Sequence, residues 1–175
     1  MSLSTSLRAL ALAAVTATAA TSAAAAPSYV ECRNTQAVQF HGTIVDAAIA
    51  TPALSTLTSL VVAANLVGPL SAPGDLTVFA PTNDAFAKIP GAVLSAIGGD
   101  LGVLTAVLTY HVTPGPVDPR VARKREVATL QGQTVFVGFE RGNGAAVNQS
   151  IADCTAVRTT NGTVWIIDSV LLPQF

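Results

Sequence analysis

Few residues in this chain are suited to act as a catalytic base or a metal ligand. Histidine occurs only twice among the 175 residues, at His41 and His111. Neither histidine has a second His or a Cys at the spacing typical of a zinc site. No Gly-x-Ser-x-Gly sequence is present, which excludes the nucleophile elbow of the α/β-hydrolases. We therefore predict no catalytic residue and no metal site, and a protein that is not an enzyme.

Charged residues are also scarce, at 11% of the chain. Arg8 is the one charged side chain in residues 1–26, so the rest of the chain carries eight basic and ten acidic groups. Nucleic-acid-binding domains present a strongly basic patch or stripe to the phosphate backbone. This charge balance argues against nucleic acid as a partner.

Residues 1–26 have the features of a secretory signal peptide. A short polar start with Arg8 is followed by an apolar stretch and then by small residues, mostly alanine. The apolar part is too short and too rich in Ala and Thr to favour a membrane span, although an uncleaved anchor is the alternative. No apolar tail follows Pro173, so we expect neither a lipid-anchor signal nor a transmembrane segment in the mature chain. The expected location is secreted: extracellular, or periplasmic in a Gram-negative bacterium.

Both cysteines, Cys32 and Cys154, lie after the predicted leader. In an exported protein an even number of cysteines is typical of disulfide bonding rather than of redox or metal chemistry. We therefore predict a Cys32–Cys154 disulfide that ties the N-terminal segment to a late strand. The alternative is two unpaired thiols.

Helix signals dominate the first half of the mature chain. Thr43 and Asp46 have capping-box spacing at the start of a short predicted helix. Thr51-Pro52 then opens a second helix, whose apolar residues recur at helical spacing. Asp100 is a predicted cap for a third helix over residues 101–108.

Strand signals dominate the second half. Further along, alternation around Val135 and Val137 predicts a strand that ends in a hairpin turn at Arg141–Gly144. The predicted strands cover 133–140, 145–148, 150–158 and 163–172, with an earlier buried strand at 77–80. Helices followed by strands predict an α+β fold. We expect one domain over 41–175, preceded by an N-terminal arm at 27–40.

Three segments carry the most specific signal in the chain. Thr77–Phe86 reads TVFAPTNDAF, Leu108–Val112 reads LTYHV, and Gly162–Pro173 reads GTVWIIDSVLLP. In this order they resemble the first motif, the Tyr-His element and the second motif of the fasciclin domain family. The resemblance covers residues 42–173 and implies a wedge of two mostly antiparallel β-sheets flanked by several short helices. It also implies a secreted, adhesion-type module.

The motif residues have structural roles available. They are Thr77, Phe79, Pro81, Thr82, Asn83, Asp84, Phe86 and, in the last segment, Asp168. Thr82 or Asn83 can cap a helix in which the charge of Asp84 meets the positive end of the dipole. Asp168 lies among apolar residues and is expected to accept hydrogen bonds from backbone donors. We predict a mainly structural role for this set.

The candidate partner- or ligand-binding residues are Tyr110, His111, Pro114 and Val117. In animal relatives the Tyr-His element is implicated in integrin-type adhesion, so the resemblance implies partner contact at Tyr110 and His111. The favoured interpretation is structural, with Tyr110 packed and both polar side-chain ends bound to backbone groups. For an apolar ligand, either Pro114 to Val117 or the first helices would form the lip of a groove.

Two further features concern the surface. Arg120–Glu126 holds four of the eight positive charges, which suits contact with an acidic polysaccharide or, alternatively, a solvated strand edge. Asn148 and Asn161 both begin glycosylation sequons. Asn161 lies on a predicted turn and is the better acceptor in a eukaryotic host.

These observations favour a secreted, non-enzymatic binding protein that acts in cell-surface or extracellular-matrix adhesion. Its expected partner is an extracellular protein or a polysaccharide, and no cofactor is expected. The alternative is a carrier of a small apolar ligand such as a carotenoid, which some algal members of the family bind.

Overall fold

Local signals account for most of the helices in the computed structural model, which describes residues 26–174. The predicted signal peptide lies outside the described residues apart from Ala26. The helices are α1 (Tyr29–Asn34), α2 (Ile44–Ile49), α3 (Ser55–Ala63), α4 (Val67–Ser71), α5 (Asn83–Ala87), α6 (Gly91–Gly99) and α7 (Leu101–Tyr110). A turn of 3-10 helix, Pro52–Leu54, leads into α3. The predicted capping box at Thr43 and Asp46 is confirmed, as is the Asp100 cap of α7.

The strands form a mixed sheet. They are β1 (Val38–Gln39), β2 (Leu76–Pro81), β3 (Val112–Pro114), β4 (Arg125–Ala128), β5 (Thr134–Glu140), β6 (Gly144–Val147), β7 (Ser150–Thr159) and β8 (Gly162–Ile167). Their order is β3-β2-β8-β7-β6-β5-β4, and β1 pairs with β7. The β2–β8 and β1–β7 pairs are parallel, and the other pairs are antiparallel. The predicted α+β class is therefore confirmed, with the strands joined in one continuous hydrogen-bonded order.

The central strands β2 and β8 separate two hydrophobic cores, because successive side chains of a strand point to opposite faces. Val78 and Val164 point to one face and join residues of α2, α3, α5, α6 and α7 in what we call the helix-side core. Phe79 and Trp165 point to the other face and join Val137 of β5 and further β5–β7 residues in the strand-side core. The sheet therefore covers itself on one face and carries helices on the other.

The N-terminal arm has more structure than its sequence pattern indicated. It contains α1, whose capping box is formed by Ser28 and Glu31, and β1, which pairs with Val157 and Arg158 of β7. The Cys32–Cys154 disulfide is present, with its Cα atoms 4.9 Å apart. The arm is thus joined to β7 by backbone pairing as well as by the disulfide.

Strand β8 ends five residues earlier than predicted. The predicted strand continued to Leu172, whereas the ladder stops at Ile167. Beyond it, the Asp168 N–H bonds to the Ile151 carbonyl and the Leu171 N–H bonds to His111. One backbone bond and one side-chain bond therefore replace the strand pairing.

No single helix within residues 26–174 has the length and apolar composition needed to cross a membrane. Helices α6 and α7 reach that length only as a pair, and they are bent by 106° relative to each other.

Candidate functional site

The first family motif builds the centre of the fold. Thr77 is buried, and its hydroxyl donates to the Gly115 carbonyl and accepts from the Val117 N–H, both at 2.9 Å. Phe79 fills the strand-side core. Thr77 therefore holds the segment after β3 against β2, which is a structural role.

The second half of that motif joins β2 to the helices. Thr82 is the cap of α5, because its hydroxyl accepts the Ala85 N–H. The Asn83 amide reaches across to α3, where its oxygen accepts from the Thr56 N–H at 2.9 Å and its nitrogen donates to the Pro52 carbonyl at 3.0 Å.

The remaining residues of the motif occupy the expected places. Pro81 is the last residue of β2, Asp84 lies exposed in the first turn of α5, and Phe86 is buried in the helix-side core.

The Asp168 carboxylate accepts hydrogen bonds from three residues. It accepts from the Ile151 N–H at 2.8 Å, from the Ser169 hydroxyl at 3.1 Å and from Lys88 at 3.3 Å. Partial burial alone would raise the pKa of Asp168, but these hydrogen bonds and the Lys88 charge outweigh it and lower the pKa. The carboxylate thus accepts a hydrogen bond from a backbone N–H at the end of β8, as predicted from the sequence.

Tyr110 and His111 are both buried, on opposite sides of the sheet: Tyr110 packs in the strand-side core, and His111 lies among residues of the helix-side core. The Tyr110 hydroxyl donates to the Thr134 carbonyl and accepts from the Asn148 amide, both at 3.1 Å. The His111 Nδ1 atom lies 2.8 Å from the Val107 carbonyl, and its Nε2 atom accepts the Leu171 N–H at 2.9 Å. With Tyr110 5% and His111 2% exposed, the pair is not a surface for direct receptor contact. The favoured structural interpretation agrees with these contacts, whereas the surface contact that the resemblance implies at Tyr110 and His111 does not.

An apolar pocket lies between α2, α3 and α4 on one side and β2 and β8 on the other. Most of its lining is aliphatic, and the His111 ring also reaches it; the lining includes Ile44, Val45, Ala48, Leu57, Val61, Val62, Val67, Leu70, Val78, Leu108 and Val164. Val62 and Val67 are 59% and 36% exposed, so they form the solvent-facing edge of the pocket. The pocket is small, with a cavity volume of about 30 Å³.

The polar groups of the apolar pocket are already bonded within the protein. The Thr58 hydroxyl donates to the Leu54 carbonyl, and both His111 nitrogens have backbone partners. A bound molecule would therefore meet hydrocarbon surface and no free hydrogen-bonding side chain.

The first helices, and not Pro114 to Val117, border this pocket. Pro114 is exposed but does not line it, and Val117 is buried in the strand-side core. The Val117 carbonyl accepts the Trp165 indole N–H at 2.9 Å. The prediction of Pro114 and Val117 as a groove lip is therefore wrong, while the alternative lip of the first helices agrees with the structure.

Sequence reasoning did not single out Val62 and Val67. A signal was available for Val62, because it falls outside the helical spacing of the buried Leu54, Leu57 and Val61. A valine on the solvent side of an amphipathic helix is a weak signal, and only the packing of α4 shows that it borders a pocket.

The glycosylation prediction for Asn161 is wrong. Asn161 is buried, its amide nitrogen donates to the Leu70 and Ala72 carbonyls, and its oxygen accepts the Ile44 N–H. A glycan on that nitrogen would have no room between α4 and β8. Asn148 is partly exposed and bonds Tyr110 and the Phe136 N–H, so its glycosylation stays a prediction.

Within the described part of the chain, no group of three or more His, Cys, Asp or Glu side chains is placed to hold a metal ion. The buried imidazole of His111 also has no side-chain nucleophile bonded to it.

Comparison with known proteins identifies the family to which this fold belongs. The family model described as the fasciclin domain matches residues 52–173. Protein sll1483 of Synechocystis sp. is 39% identical over 133 residues, which cover 75% of this chain and 73% of that protein. Immunogenic protein MPB70 of Mycobacterium bovis is 41% identical over 128 residues, covering 70% of this chain and 64% of its own length.

Two further proteins extend the comparison. Cell surface glycolipoprotein MPB83 of Mycobacterium bovis is 40% identical over 74% of this chain, which spans 60% of that protein. The solved FAS1 domain pair of the insect cell adhesion molecule fasciclin I has a TM-score of 0.51 at 20% identity, covering 68% of this chain and 45% of that one. The structural match shows the fold, and the family model and sequence relatives show the family. The chain belongs to the fasciclin domain family.

Proposed function

We propose that this chain is a non-enzymatic, extracellular binding protein that binds a small apolar molecule in the pocket between α2, α3, α4 and the sheet. The observation that carries this proposal is a pocket with aliphatic walls and an exposed edge at Val62 and Val67. Apolar pockets with few free polar groups are typical of sites for apolar ligands.

The chemistry of the pocket walls favours an apolar ligand. The side chains around the pocket offer contact but no unpaired donor or acceptor. The cavity volume of about 30 Å³ is smaller than a hydrocarbon chain, so α3 and α4 have to separate at Val62 and Val67 to admit one. Burying a polar group there without a partner would cost about 1–3 kcal/mol. A hydrocarbon or polyene chain meets these conditions, and a carotenoid is one molecule of that class.

The experiment is an absorbance spectrum and a native mass spectrum of the protein after incubation with a carotenoid and, separately, with a fluorescent fatty acid. The expected result is one bound molecule per chain and a shifted visible or emission spectrum. If neither probe binds above the level of an unrelated secreted protein, the proposal fails.

Adhesion is the second candidate. It is supported by the names of the related proteins, a cell surface glycolipoprotein and a cell adhesion molecule. Because Tyr110 and His111 are buried, adhesion would have to use another surface of this chain. The test is binding of protein-coated beads to cells of the source organism and to each other. Absence of both kinds of binding would contradict adhesion.

A further inference from the structure

A polar pocket lies on the face of β8 opposite the apolar pocket, and three arginines line it. Arg120 comes from the loop after β3, Arg125 begins β4, and Arg158 lies near the end of β7. Thr163 and Trp165 of β8 line the same pocket, whereas Val164 between them lines the apolar one. The two pockets are therefore separate sites that share one strand.

Arg120 is part of the framework of this polar pocket. Its guanidinium donates to both carboxylate oxygens of Asp118 at 2.9 Å and to the Cys32, Thr35 and Cys154 carbonyls. It also lies 4.8 Å from the centre of the Trp165 ring, a cation–π arrangement. These contacts hold the arm, the disulfide and β8 together, and they leave Arg120 little capacity for a ligand.

Arg125 and Arg158 differ from Arg120 in their contacts. Both are exposed, and among residues 26–174 neither guanidinium has an ion-pair or hydrogen-bond partner. Each guanidinium carries five N–H donors in a planar fork that matches a carboxylate. Two guanidinium groups without a partner, one from β4 and one from β7, thus line one pocket.

Basic side chains are concentrated around this pocket, although the chain after residue 26 has more acidic than basic groups. Arg33, Arg120, Arg125 and Arg158 are half of the eight basic groups after residue 26. Burial alone would raise the pKa of Asp118, but the hydrogen bonds and charge of Arg120, with a smaller effect of the Arg33 charge, lower it. Asp75 and Asp118 also line the pocket, and Asp118 is neutralised by Arg120.

We propose that the polar pocket binds carboxylate groups of an acidic polysaccharide through Arg125 and Arg158. Two guanidinium groups on different strands suit a ligand that carries repeated, spaced carboxylates. Pro116 and Ala37 supply small apolar surfaces between the charges, against which a sugar ring can pack. Trp165 is buried, so no exposed aromatic ring lines the pocket to stack a nucleic-acid base.

The test measures binding of an oligogalacturonate, a neutral oligosaccharide of the same length and a short DNA duplex. Each is titrated against the wild-type protein and the double variant Arg125→Gln/Arg158→Gln. The matched control is Arg123→Gln/Arg141→Gln, which removes two exposed charges from outside the pocket. Thermal unfolding verifies that both double variants keep the fold, and the single variants Arg125→Gln and Arg158→Gln are measured as well.

The expected result is binding of the acidic oligosaccharide that weakens as salt rises to about 150 mM. The pocket double variant should lose about tenfold or more in affinity, each single variant about threefold, and the control double variant less than about twofold. Equal losses in the two double variants would show a net-charge effect and overturn the proposal. Equal affinity for the neutral oligosaccharide and the acidic one would also overturn the proposal. The same holds if the DNA duplex binds at least as tightly as the acidic oligosaccharide and loses as much affinity in the Arg125 and Arg158 variants. Because these residues do not line the apolar pocket, failure here would leave the proposed function standing.

Discussion

His111 joins the C-terminal segment to α7, because its Nε2 atom accepts the Leu171 N–H at 2.9 Å while Nδ1 donates to the Val107 carbonyl. Both contacts require the neutral imidazole with its proton on Nδ1. Burial lowers the pKa of His111 from 6.5 to about 4, although the Val107 carbonyl acts in the opposite direction. Protonation would convert the Nε2 acceptor into a donor facing another N–H.

The first prediction is a loss of stability between pH 6.5 and pH 4. The unfolded chain binds a proton at His111 in this range while the folded chain does not, so the free energy of unfolding falls as pH falls. At pH 5 the loss relative to pH 7 is about 2 kcal/mol, and urea unfolding at the two pH values measures it.

The control is His111→Gln, which should be less stable at pH 7 but should lose most of the difference between pH 7 and pH 5. An unchanged pH difference in that variant would assign the effect to another group.

The second prediction concerns Gly162, where β8 begins against β2. A Cβ atom there would lie 2.0 Å from the Leu76 carbonyl oxygen and 2.9 Å from the Ile44 Cδ1 atom. Gly162→Ala therefore has to push β2 and β8 apart, and we expect a loss of more than about 3 kcal/mol in the free energy of unfolding. Gly98 in α6 has no atom within 4 Å of such a Cβ. Gly98→Ala should be neutral or stabilise by up to about 1 kcal/mol, and similar losses in both variants would contradict the assignment.

The third prediction concerns the disulfide. Cys32 and Cys154 are 122 residues apart, so their bond restricts a large loop in the unfolded chain. Replacing both cysteines by alanine should lower the free energy of unfolding by about 4–5 kcal/mol. Wild-type protein unfolded in a reductant should show a similar loss. Full stability in the alanine variant would mean that the β1–β7 pairing and Arg120 suffice to hold the arm.

The fourth prediction concerns the Asn161 amide, which bridges α2, α4 and the turn before β8. Asn161→Ala leaves the buried Ile44 N–H and Leu70 carbonyl without this partner, together with the partly buried Ala72 carbonyl. We expect a loss of about 3 kcal/mol, measured by urea unfolding. Asn143→Ala, which removes one exposed bond to Glu140, should change stability by less than about 0.5 kcal/mol. Equal effects would contradict a special role for Asn161.

Sequence patterns predicted the parts of the fold that depend on neighbouring residues. The caps at Thr43, Thr82 and Asp100 need only a side chain and an N–H two or three positions away, so local chemistry determines them. Helix α4 was not predicted, because Gly68-Pro69 is typical of a loop. Pro69 is nevertheless the third residue of that helix, a position where a backbone N–H has no intrahelical partner, so the N–H that proline lacks is not missed.

The placement of site residues depended on long-range packing and could not be predicted in the same way. The Asn161-Gly162 pair correctly indicated a turn, but its burial follows from α4 lying 91 positions earlier in the chain. Tyr110 and His111 correctly drew attention as a pair, yet the end of α7 directs their side chains to different cores. The apolar pocket needs four helices and three strands in place, so no single segment indicates it.

The measurement that tests the apolar pocket most directly is the affinity of a fluorescent fatty acid for matched lysine variants. Val62→Lys/Val67→Lys places two charges at the edge of the pocket, and Val30→Lys/Val93→Lys places two on exposed valines outside it. If the pocket is the binding site, the first variant should bind at least about tenfold more weakly than the wild type, and the second should bind like the wild type. Equal affinity in both variants, or no binding by the wild type, would contradict the assignment of this pocket as the functional site.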